Sequence, residues 1–144
     1  MLWTFFLKEE KIMKEMIYKK IPFGSFPDEI LAEGTYKNYH YAIVSFGTHP
    51  CAYVQIPEDH KLYFIYDEFD PKIESVCCHG GITCISIGGI LKGNGGNYRE
   101  GHWIGWDYLH PGDYEANMHP LGRKWTTKEI LDDVKNVIKQ LVQM

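Results

Sequence analysis

Two short clusters in this 144-residue chain carry residue types able to do chemistry. The first is His79-Gly80-Gly81-Ile82-Thr83. The second runs Gly105-Trp106-Asp107-Tyr108-Leu109-His110-Pro111-Gly112-Asp113. In the first, paired glycines let the backbone approach a partner closely and adopt positive φ. Consecutive N–H groups there could form an anion-binding nest, with His79 and Thr83 adding side-chain donors and acceptors. In the second, Asp107, His110 and Asp113 follow one another at intervals of three. At a strand end such residues can converge on one pocket, as acid and base or as ligands to a divalent metal. Each cluster also has a plain structural reading. His79 would sit in a bulge between strands. Asp107 would make an Asx turn, Pro111-Gly112 a tight turn, and His110 a backbone hydrogen bond. On spacing alone the structural reading is the simpler one for both. Trp103 and Trp106 likewise suit a core better than a stacking platform. No phosphate-loop, H-E-x-x-H, G-x-S-x-G or kinase pattern is present.

Other polar candidates are weaker. His40 and His49 flank a hairpin and read as surface residues; His60 and His119 sit beside turns. Asp67, Glu68 and Asp70 read as a solvated loop able at most to attract a hard cation. Glu74 matters only if it points inward. Cys51, Cys77, Cys78 and Cys84 form no C-x-x-C pair, so reduced thiols are expected rather than zinc or disulfides.

The elements that must position these residues are α+β: a mostly antiparallel sheet with a covering C-terminal helix. Residues 39–47 and 51–57 predict a hairpin turning through Thr48-His49-Pro50. Segments 73–78 and 82–87 read as strands, and 102–108 as a strongly aromatic strand. Residues 62–66 read as a short strand or a packed loop. Residues 88–101, with six glycines and two asparagines, predict a flexible, lid-like loop. Thr126 and Glu129 fit a capping box opening a helix whose apolar face is Ile130, Val134, Val137, Ile138 and Leu141. A short helix is expected within 23–36, capped by Asp28 and stopped at Gly34. Residues 1–22 read as an N-terminal extension, with an amphipathic helix over about 7–19, ahead of a single domain over 23–144. Met13 and Met16 are alternative starts.

Composition bounds the function. The hydrophobic fraction is 44% and the net charge −4, and only two of the 15 basic residues are arginines, Arg99 and Arg123. No basic stripe exists, so long nucleic acid is not an expected partner. No run approaches a membrane span, and the N-terminus makes a poor signal peptide. A cytoplasmic protein is expected, with a homo-oligomer left open.

From about Ala42 to Leu141 the chain resembles a family of small proteins encoded by phages and prophages, for which no activity is established. The resemblance rests on Cys51-Ala52-Tyr53-Val54-Gln55-Ile56-Pro57, on His60 and Tyr63, on His-Gly-Gly-Ile-Thr at 79–83, and on the run from Trp103 to Asp113. The chain departs from the family at Cys84-Ile85-Ser86, where Tyr or Phe then Ser is usual, and in a longer insert at 88–101. The resemblance implies that the two clusters act together, in a host cell's cytoplasm.

Three functions follow. The first is a small accessory protein that captures a polar, nucleotide-derived ligand to counter host defence, with no cofactor. His79, Gly80, Gly81, Thr83, Trp106, Asp107, His110 and Asp113 would line its site, and Trp106 or Tyr108 would stack on a base. The second is a metal-dependent hydrolase of phosphoesters, with His79, Asp107 and His110, joined by Asp113, around a divalent metal. The third is an inhibitor that docks on a basic host protein through Asp67–Asp70.

Overall fold

The hairpin is where the alternation of apolar residues puts it. In the computed structural model, which describes residues 13–22, 27–91 and 98–144, strand β2 is Tyr39–Ser45 and β3 is Pro50–Gln55. They pair antiparallel from Ser45↔Pro50 to Tyr41↔Val54. Pro50 opens its strand, a position where a missing N–H costs little.

β1 (Glu29–Tyr36) lies outside β2, where a short helix was expected. An apolar run as short as Ile30-Leu31-Ala32 suits either element. Pairing with β2 decides it, and a register shift at Ile30/Ala32 lets Leu31 and Ala32 both be buried. Residues 23–26 lie outside the described set. The described part of the N-terminal segment, 13–22, is irregular rather than helical. Its amides go elsewhere: Lys14 N donates to Leu31 O and Lys19 N to Gly47 O. Met16 is buried in the main core, so this part is packed onto the domain.

After β3 the chain makes packed turns over 58–64, not a strand. Ile73–Cys78 is not a strand either. Pro71–Glu74 forms one helical turn, α1, whose N-cap Asp70 accepts the Lys72 N–H at 2.8 Å. Asp-Pro at a helix start is the signal that outweighs the apolar Ile73 and Val76. Glu74 is exposed.

β4 (Cys84–Ser86), β5 (Gly89–Ile90), β6 (Arg99–Glu100) and β7 (Trp103–Asp107) follow. β7 inserts between β3 and β4, giving an antiparallel sheet of order β1-β2-β3-β7-β4. β5 and β6 pair as a separate ribbon flanking residues 92–97, the stretch of the expected lid that lies outside the described residues.

The final helix, α2 (Thr127–Val142), has the expected capping box: Thr126 accepts the Glu129 N–H and Glu129 accepts the Thr126 N–H. Ile130, Val134, Val137, Ile138 and Leu141 are fully buried against the sheet. Each such side chain contributes about 1.5–3 kcal/mol. The protein is thus α+β, a five-stranded antiparallel sheet with its C-terminal helix packed on it. A smaller core of Ala42, Val44, Ile90, Leu91 and Trp103 covers the opposite face. Among the described residues no helix is long and apolar enough to cross a membrane.

Candidate functional site

Residues alternate across β7, and that alternation distributes its chemistry. Ile104 and Trp106 face the helix side; Trp103 belongs to the opposite core. Gly105 lies under the ring of Tyr53, where a Cβ would meet Tyr53 Cδ1 at 2.6 Å. The strand therefore ends with Asp107 on one side and Tyr108 on the other, and the following loop wraps around that end.

Helix α2 brings the first cluster to the same place. Gln140 holds Cys77 on both sides: its Oε1 accepts the Cys77 N–H at 2.8 Å, and its Nε2 donates to the Cys77 carbonyl at 2.7 Å. Two turns earlier, Asp133 accepts the His79 N–H at 3.1 Å and the Tyr108 hydroxyl at 2.7 Å. One carboxylate thus ties both clusters to the helix. The Tyr108 hydroxyl also accepts the Trp106 indole N–H at 3.1 Å.

His79 then lies flat on Tyr108, the rings parallel to within 2° and 4.9 Å apart. Its Nε2 is 2.7 Å from Oδ2 of Asp113, which is only 4% exposed. Asp113 receives two further donors, the His110 N–H at 2.9 Å and the Trp125 indole N–H at 2.9 Å. Burial pushes the Asp113 carboxyl up, but the three donated hydrogen bonds outweigh it and hold it below its ordinary value. Anionic Asp113 accepts from His79 Nε2–H, which fixes that nitrogen as a donor and leaves Nδ1 as the other working edge of the ring.

His110 stands edge-on to His79, ring centroids 5.5 Å apart. Its Nε2 is 3.1 Å from Asp107 Oδ1, an ion-pair distance without hydrogen-bond alignment. The ring presses on Gly80, where a Cβ would fall 2.0 Å from Nε2. Gly80 has φ +71°, so two requirements coincide on glycine. Gly81 has φ +81° and open space around it, and its N–H donates to the Cys78 carbonyl to close a turn. That N–H is spent on the turn rather than offered to an anion. Thr83 Oγ1 donates to Asp107 Oδ2 at 3.3 Å. Asp107 Oδ1 also accepts the Leu109 N–H, the Asx turn expected there.

The two clusters therefore meet. His79, Gly80, His110 and Asp113 form one group, with Asp107 and Thr83 joined to it through His110. Trp106 does not offer a stacking face, since it is 1% exposed and sits in the core. Tyr108 is fully buried beneath His79. The aromatic ring beside His79 that is still half-exposed is Trp125, at 4.7 Å. Arg123 lies over it at 3.8 Å and pairs with Glu129. No family model, curated protein or solved structure matches this chain.

Trp125, Asp133 and Gln140 were not read from the sequence. Trp125 sits just ahead of the capping box, at the position from which an apolar residue packs back onto the first turns of the helix. Asp133 borders the apolar stripe of α2. Those were the available signals.

The remaining groups are quieter. His40 is exposed as expected and His119 is exposed too, while His60 turns inward to the Leu141 carbonyl at 2.8 Å. His49 is half-buried against Thr48, and burial lowers its pKa against the opposing pull of Asp107 and Glu115. All four cysteines are unpaired. Burial raises the Cys78 thiol to about 12 and pushes Cys51 well up, so neither is a ready nucleophile. Among the described residues, no three or more His, Cys, Asp or Glu side chains are arranged to hold a metal ion.

Proposed function

We propose that this protein binds a small, polar, anionic ligand over His79 and His110 and holds it intact. The observation that carries this reading is the His79–Asp113 pair. A buried carboxylate receiving three donors orients an imidazole that keeps a quarter of its side chain exposed. Groups held this way in a half-open cluster are typical of working sites. Packing alone would be served by burying the ring outright. At the rim Trp125 offers a half-exposed ring for a base, and Arg123, which lies over that ring, shares its charge with Glu129. The resemblance to phage-encoded proteins supports a nucleotide-derived ligand captured to counter host defence.

The test is incubation with a panel of nucleotides and cyclic nucleotide messengers, followed by removal of free compound and denaturation. Release of an unaltered compound supports capture. Retention of none contradicts it.

The same pair favours a second reading, hydrolysis of a phosphoester by acid and base. Asp113 fixes one imidazole as the base, and His110 beside Asp107 would serve as the acid. A metal-assisted form through His79, Asp107 and His110 lacks a supporting ligand group among the described residues. Release of an altered compound in the same assay selects hydrolysis.

A further inference from the structure

The opposite end of β7, about 16 Å away along a five-residue strand, carries a different surface. There His102 is 5% exposed, and its Nε2 is buried with no hydrogen-bond partner. Such a nitrogen is uncommon in a folded protein and calls for a reason. The ring packs against Tyr63, at 4.9 Å, and Tyr66, at 6.1 Å, tilted from them by 36° and 31°. Phe64 packs edge-on against Tyr63 at 5.0 Å. The result is a continuous row, Phe64–Tyr63–His102–Tyr66. Its two ends are bare: Phe64 is 71% and Tyr66 60% exposed, and nearby Phe69 is 72% exposed.

The segment that supplies the three aromatics is acidic. Residues 57–75 hold six carboxylates, at Glu58, Asp59, Asp67, Glu68, Asp70 and Glu74, against Lys61 and Lys72. Their balance equals the net charge of −4 for the whole chain, so the remainder is neutral overall. Asp67 accepts the Phe69 N–H at 2.9 Å and Asp70 the Lys72 N–H at 2.8 Å, which holds both side chains in place. Exposed aromatics with an acidic rim are the composition of a binding surface rather than of a solvated loop.

We propose that this face docks a basic polypeptide segment, with an arginine guanidinium laid against Tyr66 and Tyr63 and neighbouring cations met by Asp67, Glu68 and Asp70. Arginine fits better than lysine because its planar group stacks on tyrosine and presents several N–H donors. His102 packs against both tyrosines with its Nε2 buried and unpartnered, so a docked donor reaches that nitrogen only as the tyrosine rings shift, and burial lowers the pKa of His102. A second copy of this chain is a poor occupant. It would set carboxylates against carboxylates, and its two arginines are committed, Arg99 to Glu33 and Arg123 to Glu129. The inference is independent of the ligand reading at His79.

The probe is a fluorescein-labelled peptide of alternating glycine and arginine, with lysine and glutamate counterparts, followed by fluorescence anisotropy. The wild-type chain is expected to bind the arginine peptide saturably, the lysine peptide more weakly and the glutamate peptide not at all. Added salt weakens the binding. Tyr66→Ala, and separately Asp67→Lys with Glu68→Lys, should each cut affinity about tenfold. These positions are at the surface, and circular dichroism confirms that the variants fold. The His102 imidazole resonances should shift on titration. Absence of saturable binding, or equal affinity in the variants, overturns the proposal. So does a wild-type dimer that Tyr66→Ala converts to monomer, which would make a second copy the occupant.

Discussion

The Nε2 of His79 and the Oδ2 of Asp113 lie 2.7 Å apart, although 34 residues separate them in the chain. The contact joins the two chemistry-bearing clusters. Its acid is almost wholly buried and its base is partly open to solvent.

Asp113→Asn is the direct perturbation of this pair. The amide keeps the shape but loses the charge and turns a donor toward existing donors. Loss of hydrogen bonds to a charged group costs about 1.5–3 kcal/mol. Urea denaturation at neutral pH should show a drop of that size. The pH dependence has a definite sign. Because folding lowers the Asp113 pKa, its contribution is present above the ordinary aspartate value and is lost as pH falls through the lowered one. The wild-type stability should therefore fall more steeply in acid, below about pH 5, than that of Asp113→Asn.

The paired glycines should separate. Gly81→Ala meets open space and carries only the strain of positive φ, about 1–2 kcal/mol. Gly80→Ala carries similar strain and also drives a methyl into the His110 ring. Thermal denaturation should show the larger loss for Gly80→Ala, and ligand retention should fail in that variant while persisting in Gly81→Ala.

Tyr108→Phe removes a hydroxyl that donates to Asp133 and accepts from Trp106. A buried indole N–H is left unpaired, at a cost of about 1–3 kcal/mol. The tether between β7 and α2 is weakened as well, so amide hydrogen exchange should speed up around His79.

How far the sequence revealed this molecule depends on how local each signal was. The 39–55 hairpin and the capped C-terminal helix were legible because alternation, turn residues and caps all act within a few positions. β1 was misread because Ile30-Leu31-Ala32 suits two elements and only the distant choice of β2 as partner resolves it. Over 73–78 the apolar Ile73 and Val76 suit a strand, but Asp70-Pro71 just ahead is a local helix-start signal and prevails. At the site, the residue types were legible but their roles were not. Trp106 suits a core or, less well, a stacking platform on its sequence, and only the fold settles it in the core. The groups that fix His79 and its flanking backbone, Asp113, Asp133 and Gln140, lie 34 to 63 residues from their partners. No spacing rule reaches that far.

The central claim is that the His79 imidazole, presented by Asp113, is a binding group for an anionic ligand. Equilibrium dialysis of the wild-type chain against the nucleotide panel, beside His79→Ala and the exposed control His40→Ala, tests it most directly. The account predicts retention by the wild type, unchanged retention in His40→Ala, and a loss of about tenfold or more in His79→Ala. Retention that survives His79→Ala undiminished, or a wild-type chain that retains nothing, would contradict it.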